Sequence, residues 1–323
     1  MKKEDLRIVY MGTPDFAVAS LRALVEGGYN VVGVVTMPDK PMGRHGSVLQ
    51  SSAVKQYAVS VGLPVLQPEK LKNEEFLEAL RAWKADLQIV VAFRMLPEVV
   101  WDMPRLGTFN LHASLLPQYR GAAPINWAVI NGETETGVTT FFLTHEIDTG
   151  KIIRQRRLPI AETDDVGTVH DALMTMGAEL VTETVDLILA GKAEAIPQEQ
   201  LMHEAETLRP APKIFKETCR IDWHGSLKHI YDFVRGLSPY PAAWTEMVDA
   251  EDKRQVLKVY QTEMRPASHT DSTGSLHTDG KTYLEVAVEG GYLRLLSVQL
   301  AGKKRMPIAA FLNGMKHLPL RVE

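Results

Sequence analysis

The chain has 323 residues, 45% of them hydrophobic and 24% charged, with a net charge of −4. That length supports two domains with cores of their own, and the composition is that of a globular protein without long low-complexity runs. A lone cysteine, Cys219, excludes an internal disulfide framework, and no apolar run approaches the ~18 residues that a bilayer span requires. The N-terminal MKKEDLRIVYMGTPDF has no signal-peptide core, because Gly12, Pro14 and Asp15 interrupt it. A cytoplasmic monomer is the expectation.

In chain order, RIVYMG (7–12) and NVVGVVT (30–36) read as short buried strands. Between them PDFAVASLRALVEGG has a helical period, with Thr13 predicted as N-cap, Pro14 at the first helical position and Gly27-Gly28 as the stop. SAVKQYAVSVG and NEEFLEALRAWK are two more helices, followed by the buried-strand run DLQIVVAF (86–93). TFNLHAS and TGVTTFFLT read as strands on either side of the helical PINWAVINGE. Strands alternating with helices imply a doubly wound α/β layer with a mostly parallel sheet. A long amphipathic helix, VGTVHDALMTMGAELVTETVDLILAGK, ends at Gly191. The next residues, 192–212, are poor in apolar side chains and contain three prolines, so they read as a connection. After the helical SLKHIYDFVRGL the chain turns β-rich, with short strands and glycine-containing turns that suggest a small barrel. The predicted division is a catalytic part over 1–191, a linker over 192–207 and a C-terminal barrel over 208–323. Charge follows it: 19 basic against 27 acidic residues before 208, a net of −8, and 17 against 13 from there on, a net of +4. A basic appendage on an acidic body suits a polyanionic partner, although scatter gives the same split.

The first strand–helix turn, YMGTPDFA, has one glycine where a dinucleotide fingerprint needs G-x-G-x-x-G. It also sets Asp15 where a phosphate would meet the helix dipole. No Walker, H-E-x-x-H, C-x-x-C or G-x-S-x-G pattern occurs, so neither a metal nor a serine nucleophile is expected. The stretch FNLHASLLPQYRGAAP (109–124) is different. Residues two apart in a strand share a face, so Asn110 and His112 project together while Phe109 and Leu111 pack the other way. At the carboxyl end of a sheet strand that pair reaches the rim of a cleft. An amide beside an imidazole suits an oxyanion developing on a carbonyl carbon. The competing reading is a core Asn and His satisfied by backbone groups. Asp148, in THEIDTGKII, reads as a turn former by itself; close to His112 its carboxylate would hold the imidazole.

Together GTPDFA (12–17), FNLHASLLPQYRGAAPINWAVINGE (109–133), TGVTTFFL…IDTG (136–150), RIDW (220–223) and LAGKKRMPIAAFLNG (300–314) resemble the methionyl-tRNA formyltransferase family, from residue 6 to the C-terminus. S-L-L-P with its upstream N-x-H marks folate-dependent formyltransferases, while GTPDFA and A-G-K-K point to the branch that acts on tRNA. The resemblance implies a formyltransferase fold with a C-terminal OB-like β-barrel that helps hold tRNA. It also implies 10-formyltetrahydrofolate as formyl donor, initiator methionyl-tRNA as acceptor, and no metal. Matched residue by residue, Asn110, His112 and Asp148 correspond to the family's catalytic trio, and Ser114, Leu115, Leu116 and Pro117 to its folate-binding segment. The loop 37–55 corresponds to a basic loop that enters the tRNA acceptor region, with Lys40 and Arg44 as its cations. Its glycines, prolines and polar residues predict a segment without order of its own when tRNA is absent. The chain departs from the family in two places. His45-Gly46-Ser47 stands where further Lys or Arg is common, and VVAFRMLPEVV is one residue shorter than A-Y-G-x-x-L-P, with Arg94 in place of a glycine.

The chemistry expected of these residues is direct transfer. Asn110 and a protonated His112 would point donors at the oxygen of the attacked formyl group, and Asp148 would orient His112 and help move a proton. Two other classes fit parts of the sequence. An enzyme formylating a small amine could use the same N-x-H…D core, and an RNA-binding protein could carry a decayed enzyme domain. The basic C-terminal part and the Lys40/Arg44 loop favour tRNA over a small amine, and the intact trio favours an enzyme.

Overall fold

The computed structural model describes residues 1–323, apart from the side chain of Arg44. The chain forms two compact units, each discontinuous in sequence. One contains Met1–Gly121, Thr136–Leu158 and His170–Pro210, and the other Ala122–Glu135, Pro159–Val169 and Ala211–Glu323.

The first unit begins with β1 (Ile8–Gly12), buried throughout, and α1 (Asp15–Glu26). Pro14, not Thr13, occupies the N-cap, and the Thr13 hydroxyl is buried with no partner among the described residues. Asp15 takes the first helical turn, where its charge complements the dipole. Then come β2 (Val31–Val35), the short strands β3 (Lys40–Met42) and β4 (Val48–Gln50), α2 (Ala53–Ser60), β5 (Val65–Leu66), α3 (Glu74–Ala82), β6 (Leu87–Val91), α4 (Glu98–Trp101) and β7 (Thr108–His112). The helix α5 (Pro124–Ile130) precedes β8 (Glu135–Phe142), β9 (Ile152–Pro159) and α6 (Val166–Leu189).

The sheet order is β5-β2-β1-β6-β7-β8-β9. Strands β5, β2, β1, β6 and β7 are parallel neighbours. The order reverses beside β1, which is where open α/β sheets place their ligand crevice, at the carboxyl ends of the strands. Strand β8 departs from the parallel pattern. It runs antiparallel to β7, with Asn110 opposite Phe141 and His112 opposite Thr139. The connection explains this: α5 gives Ile130 to the core of the second unit instead of completing a βαβ crossover. The segment 37–55, expected to lack order of its own, is a small antiparallel ribbon in which β3 pairs with β4, Lys40 opposite Gln50 and Met42 opposite Val48.

The second unit adds α7 (Leu227–Leu237), β10 (Ala243–Val248), β11 (Arg254–Pro266), β12 (Leu276–Thr278), β13 (Leu284–Val288), β14 (Gly291–Leu300), β15 (Met306–Pro307), α8 (Ile308–Asn313) and β16 (Arg321–Val322). Its sheet runs β12-β13-β14-β11-β10-β16, with β15 off β14. A bridge between Ser275 and Arg321 and the Leu276 N–H donated to Leu320 O at 3.0 Å bring the outer strands together, so the barrel is nearly closed. Alternate residues fill it: Leu257, Val259, Leu284, Val286, Leu293 and Leu295 have no exposed surface. Helix α7 adds Leu227, Ile230, Val234 and Leu237, the i, i+3, i+7, i+10 stripe of an amphipathic helix. Each such side chain contributes about 1.5–3 kcal/mol on burial.

One carboxylate in this barrel is buried with its charge intact. Glu285 on β13 is held by the Arg265 guanidinium through both carboxylate oxygens, with Arg294 Nη2 at 3.3 Å. Burial alone would push its carboxyl up, but the two arginines outweigh it and hold the group below the ordinary glutamate range. A folded-state value below the unfolded one stabilises the fold above about pH 4.3, and that contribution disappears as pH falls through the folded-state value. Glu285→Gln is therefore expected to lower stability by about 1.5–3 kcal/mol at pH 7. Denaturant unfolding of both proteins should show the gap closing as pH falls below the ordinary glutamate range.

Candidate active site

Strand β7 ends in the polar residues singled out from the sequence. Phe109 and Leu111 are buried in the sheet, and Asn110 and His112 share the other face. His112 is 7% exposed, and its Nε2 lies 2.8 Å from the Tyr119 carbonyl oxygen. A carbonyl can only accept, so Nε2 carries a proton and Nδ1 is the nitrogen left over. Nδ1 lies 3.9 Å from Asp148 Oδ2, too far for a direct hydrogen bond, with both side chains buried. The Asn110 carboxamide is half-buried and makes no hydrogen bond among the described residues. Its donor and acceptor are both unspent.

The loop after β7 is held from inside. Ser114, with no exposed surface, donates its hydroxyl to Gln118 O at 2.7 Å. Thr139 on β8 donates to Ser114 O at 2.7 Å and accepts from the Leu116 N–H at 3.3 Å. Gln155 on β9 donates to Leu116 O at 2.7 Å. Tyr119 has φ 59°, a left-handed backbone that turns its carbonyl toward His112. Asp148 is also left-handed, φ 57°, in the turn between β8 and β9. Its Oδ2 accepts the Gly121 N–H at 2.9 Å. Two residues later, Gly150 is obligatory, because a Cβ there would lie 1.6 Å from Phe142 O.

The segment 192–210 packs against this loop as part of the same unit. Gln118 Nε2 donates to Glu206 Oε1 at 2.8 Å and to Thr207 O at 3.1 Å, and its Oε1 accepts the Arg209 N–H at 2.8 Å. The Tyr119 N–H is donated to Arg209 O at 2.8 Å. The Gln118 amide, with the His203 backbone, holds the Glu206 carboxyl below its usual range.

Comparison with known proteins shows the family. The family model described as "Formyl transferase" matches residues 6–185, and "Formyl transferase, C-terminal domain" matches 213–316. A methionyl-tRNA formyltransferase of Parabacteroides distasonis is 80% identical over 318 residues, 98% of each chain. One from Bacteroides fragilis is 68% identical over 314 residues, covering 97% of this chain and 96% of that one. The chain belongs to the methionyl-tRNA formyltransferase family. Solved structures share the fold at lower identity. HypX from Aquifex aeolicus in complex with tetrahydrofolic acid has a TM-score of 0.62 at 18% identity, covering 95% of this chain and 47% of HypX. This chain thus spans about half the length of HypX. The sugar 3N-formyltransferase WlaRD has a TM-score of 0.62 at 16% identity, covering 93% of this chain and 99% of that one.

The residues expected from the sequence fall into three groups. Asn110, His112 and Asp148 come together at the end of β7. Of Ser114, Leu115, Leu116 and Pro117, Leu115 alone has a partly open side chain, while the other three are buried. Lys40 stands exposed on β3, and the Arg44 side chain lies outside the described residues. Arg94, the departure beside β6, donates to Glu69 O at 2.8 Å and to Pro68 O, and burial pushes its guanidinium down from the usual arginine value. Sequence reasoning assigned no role to Gln155, Tyr119 or Gln198, whose contacts here run largely through backbone carbonyls. Among the described residues no group of three or more His, Cys, Asp or Glu is arranged for a metal, and no helix is long and apolar enough to cross a membrane.

Because the Phe142 carbonyl leaves no room at Gly150, Gly150→Ala is expected to displace the Asp148 turn. Turnover should fall at least ~10-fold, since small misplacements in a catalytic array are costly. Steady-state kinetics alongside a thermal melt check this, and wild-type kcat in a folded variant contradicts it.

Proposed function

We propose that this chain transfers the formyl group of 10-formyltetrahydrofolate directly to the α-amine of methionine on initiator methionyl-tRNA, as a cytoplasmic monomer supporting translation initiation. The observation that carries the reading is the unspent Asn110 amide on the same strand face as an anchored His112, with Asp148 3.9 Å from its Nδ1. The donor supplies an electrophilic formyl carbon. Asn110 offers its N–H to the formyl oxygen as the amine adds and the carbonyl electron pair moves onto that oxygen. A protonated His112 is expected from the sequence to point a second donor at this oxygen; in the present reading its Nε2–H is instead given to Tyr119 O. That bond fixes the ring and aims Nδ1 at Asp148. The Asp148–His112 pair is then placed to take a proton from the attacking amine and return it to the departing folate nitrogen. No side chain carries the formyl group, because holding donor and acceptor in contact suffices.

Ser114, Leu116 and Pro117 would shape the folate pocket from behind, and Leu115 would offer it apolar surface. The functional division is a catalytic part over 1–191, a connection over 192–207 and a tRNA-holding part over 208–323. The net charge of +4 on that last part, with Lys303 and Lys304 exposed after β14, supports contact with a polyanion. Lys40 and Arg44 on the 37–55 ribbon would add phosphate contacts.

Formyl transfer to charged initiator tRNA tests the reading. Asn110→Ala and His112→Ala are each expected to lower kcat by about 10²–10³ with tRNA affinity nearly unchanged. Near-normal kcat in either sinks the assignment. For the ribbon, Lys40→Ala should flatten the dependence of log Kd on log salt by about 0.7–0.9 if one phosphate contact is lost. Superimposable lines for the two proteins would remove Lys40 from the tRNA interface.

A further inference from the structure

The residue Gln198 lies in the stretch read from sequence as a linker, yet its side chain has no exposed surface. Its backbone is delivered by Ile196, which pairs with Ile152 at the start of β9 through two hydrogen bonds of 2.8 Å. Pro197 then opens a short 3₁₀ turn over Gln198–Leu201. From there Nε2 donates to Asp148 O at 2.7 Å and to Gly150 O at 2.9 Å, while Oε1 accepts from Arg120 Nε at 3.1 Å and Nη2 at 2.7 Å. All four hydrogen-bonding positions of the amide are used. The amide cannot be flipped, since two carbonyls can only accept and a guanidinium can only donate.

What this amide holds is the catalytic turn. Asp148 is left-handed, a conformation that disfavours a residue with a Cβ and persists only where surrounding contacts impose it. One Gln198 donor takes the carbonyl of Asp148 itself, and the other takes the carbonyl of Gly150 in the same turn. The Gln198 oxygen meanwhile grips Arg120, and the next residue, Gly121, gives its N–H to Asp148 Oδ2. Both the backbone of Asp148 and the loop that receives its carboxylate are therefore tied to one buried side chain. We infer that Gln198 is a positioning residue for formyl transfer: it sets the Asp148 carboxylate at its working distance from His112. The inference rests on the catalytic reading of Asp148 given above.

The test separates this role from a merely structural one, because two substitutions divide the contacts. Gln198→Glu keeps the shape and strengthens the acceptor for Arg120, but loses both donors and sets an anionic oxygen against two carbonyls. Gln198→Met keeps the length and loses everything. If Gln198 positions Asp148, both variants lose about 10–100-fold in kcat, the scale expected for a misplaced catalytic group. The KM for methionyl-tRNA should stay within about two-fold of wild type, since none of these contacts involves an expected tRNA ligand. In an Asp148→Asn background, the single-turnover rate should then fall by less than two-fold on adding Gln198→Glu, because the group being positioned is already gone. A Gln198→Glu protein with wild-type kcat would reduce Gln198 to an anchor for Arg120 and overturn the inference. An equal loss with and without Asp148→Asn would also overturn it. Should Gln198→Met fail to fold, as a thermal melt would show, the nearly isosteric Gln198→Glu still decides. Failure of the catalytic reading itself looks different: wild type would form no formylmethionyl-tRNA, or Asp148→Asn alone would leave the rate unchanged.

Discussion

Two left-handed residues in two different loops set the surroundings of His112. Tyr119 at φ 59° turns a carbonyl onto His112, and Asp148 at φ 57° turns a carboxylate toward the other side of the same ring. Each conformation works against the preference of L-residues by about 1 kcal/mol or more. Neither residue sits in a regular strand or helix that would fix it. The backbone is instead held from outside, at Tyr119 by the Arg209 carbonyl and at Asp148 by Gln198. Remove those restraints and the imidazole keeps its place on β7 but loses the two oxygens that orient it.

Restraint of this kind rests on buried hydrogen bonds. Ser114, Thr139, Gln155 and Gln198 are polar side chains in or beside the core, and each finds its partners in backbone groups of the loop after β7 or of the Asp148 turn. Leaving one such group unpaired costs about 1–3 kcal/mol, so the network resists small rearrangements as a set. Asn110 is the contrast. Its neighbours on β7 are either apolar or committed, whereas its amide faces the site with full hydrogen-bonding capacity.

Much of this was legible in the sequence, for identifiable reasons. Period-two spacing put Asn110 and His112 on one face, and apolar runs of strand length located β1, β2, β6 and β7. The family's motifs supplied Asp148, which spacing alone left as a turn former. Each miss has a physical cause. The antiparallel entry of β8 depends on where α5 packs, and nothing local in PINWAVINGE says so. Ribbon pairing in 37–55 comes from cross-strand backbone bonds, to which composition is blind. Thr13 lost the N-cap because Pro14 itself adopts the extended cap geometry, φ −79° and ψ 174°. Residues 192–207, read as a linker, carry no apolar stripe; their anchors are backbone carbonyls and buried amides.

The helix α5 alters how far the protein can be taken apart. Its Ile130 packs in the same core as Val234 and Leu237 of α7, and at Gly236 a Cβ would lie 2.8 Å from the Ile130 backbone nitrogen. Asn126 donates to Gly236 O at 3.0 Å, and Arg235 donates to Asp164 O at 2.9 Å, so residues 122–135 and 159–169 are built into the second unit. Cutting the chain after Gly191 would strip α5 of its packing partners and take Gln198 from the Asp148 turn in the same stroke. The two units are distinct bodies, but each is assembled from stretches of chain that alternate with the other's.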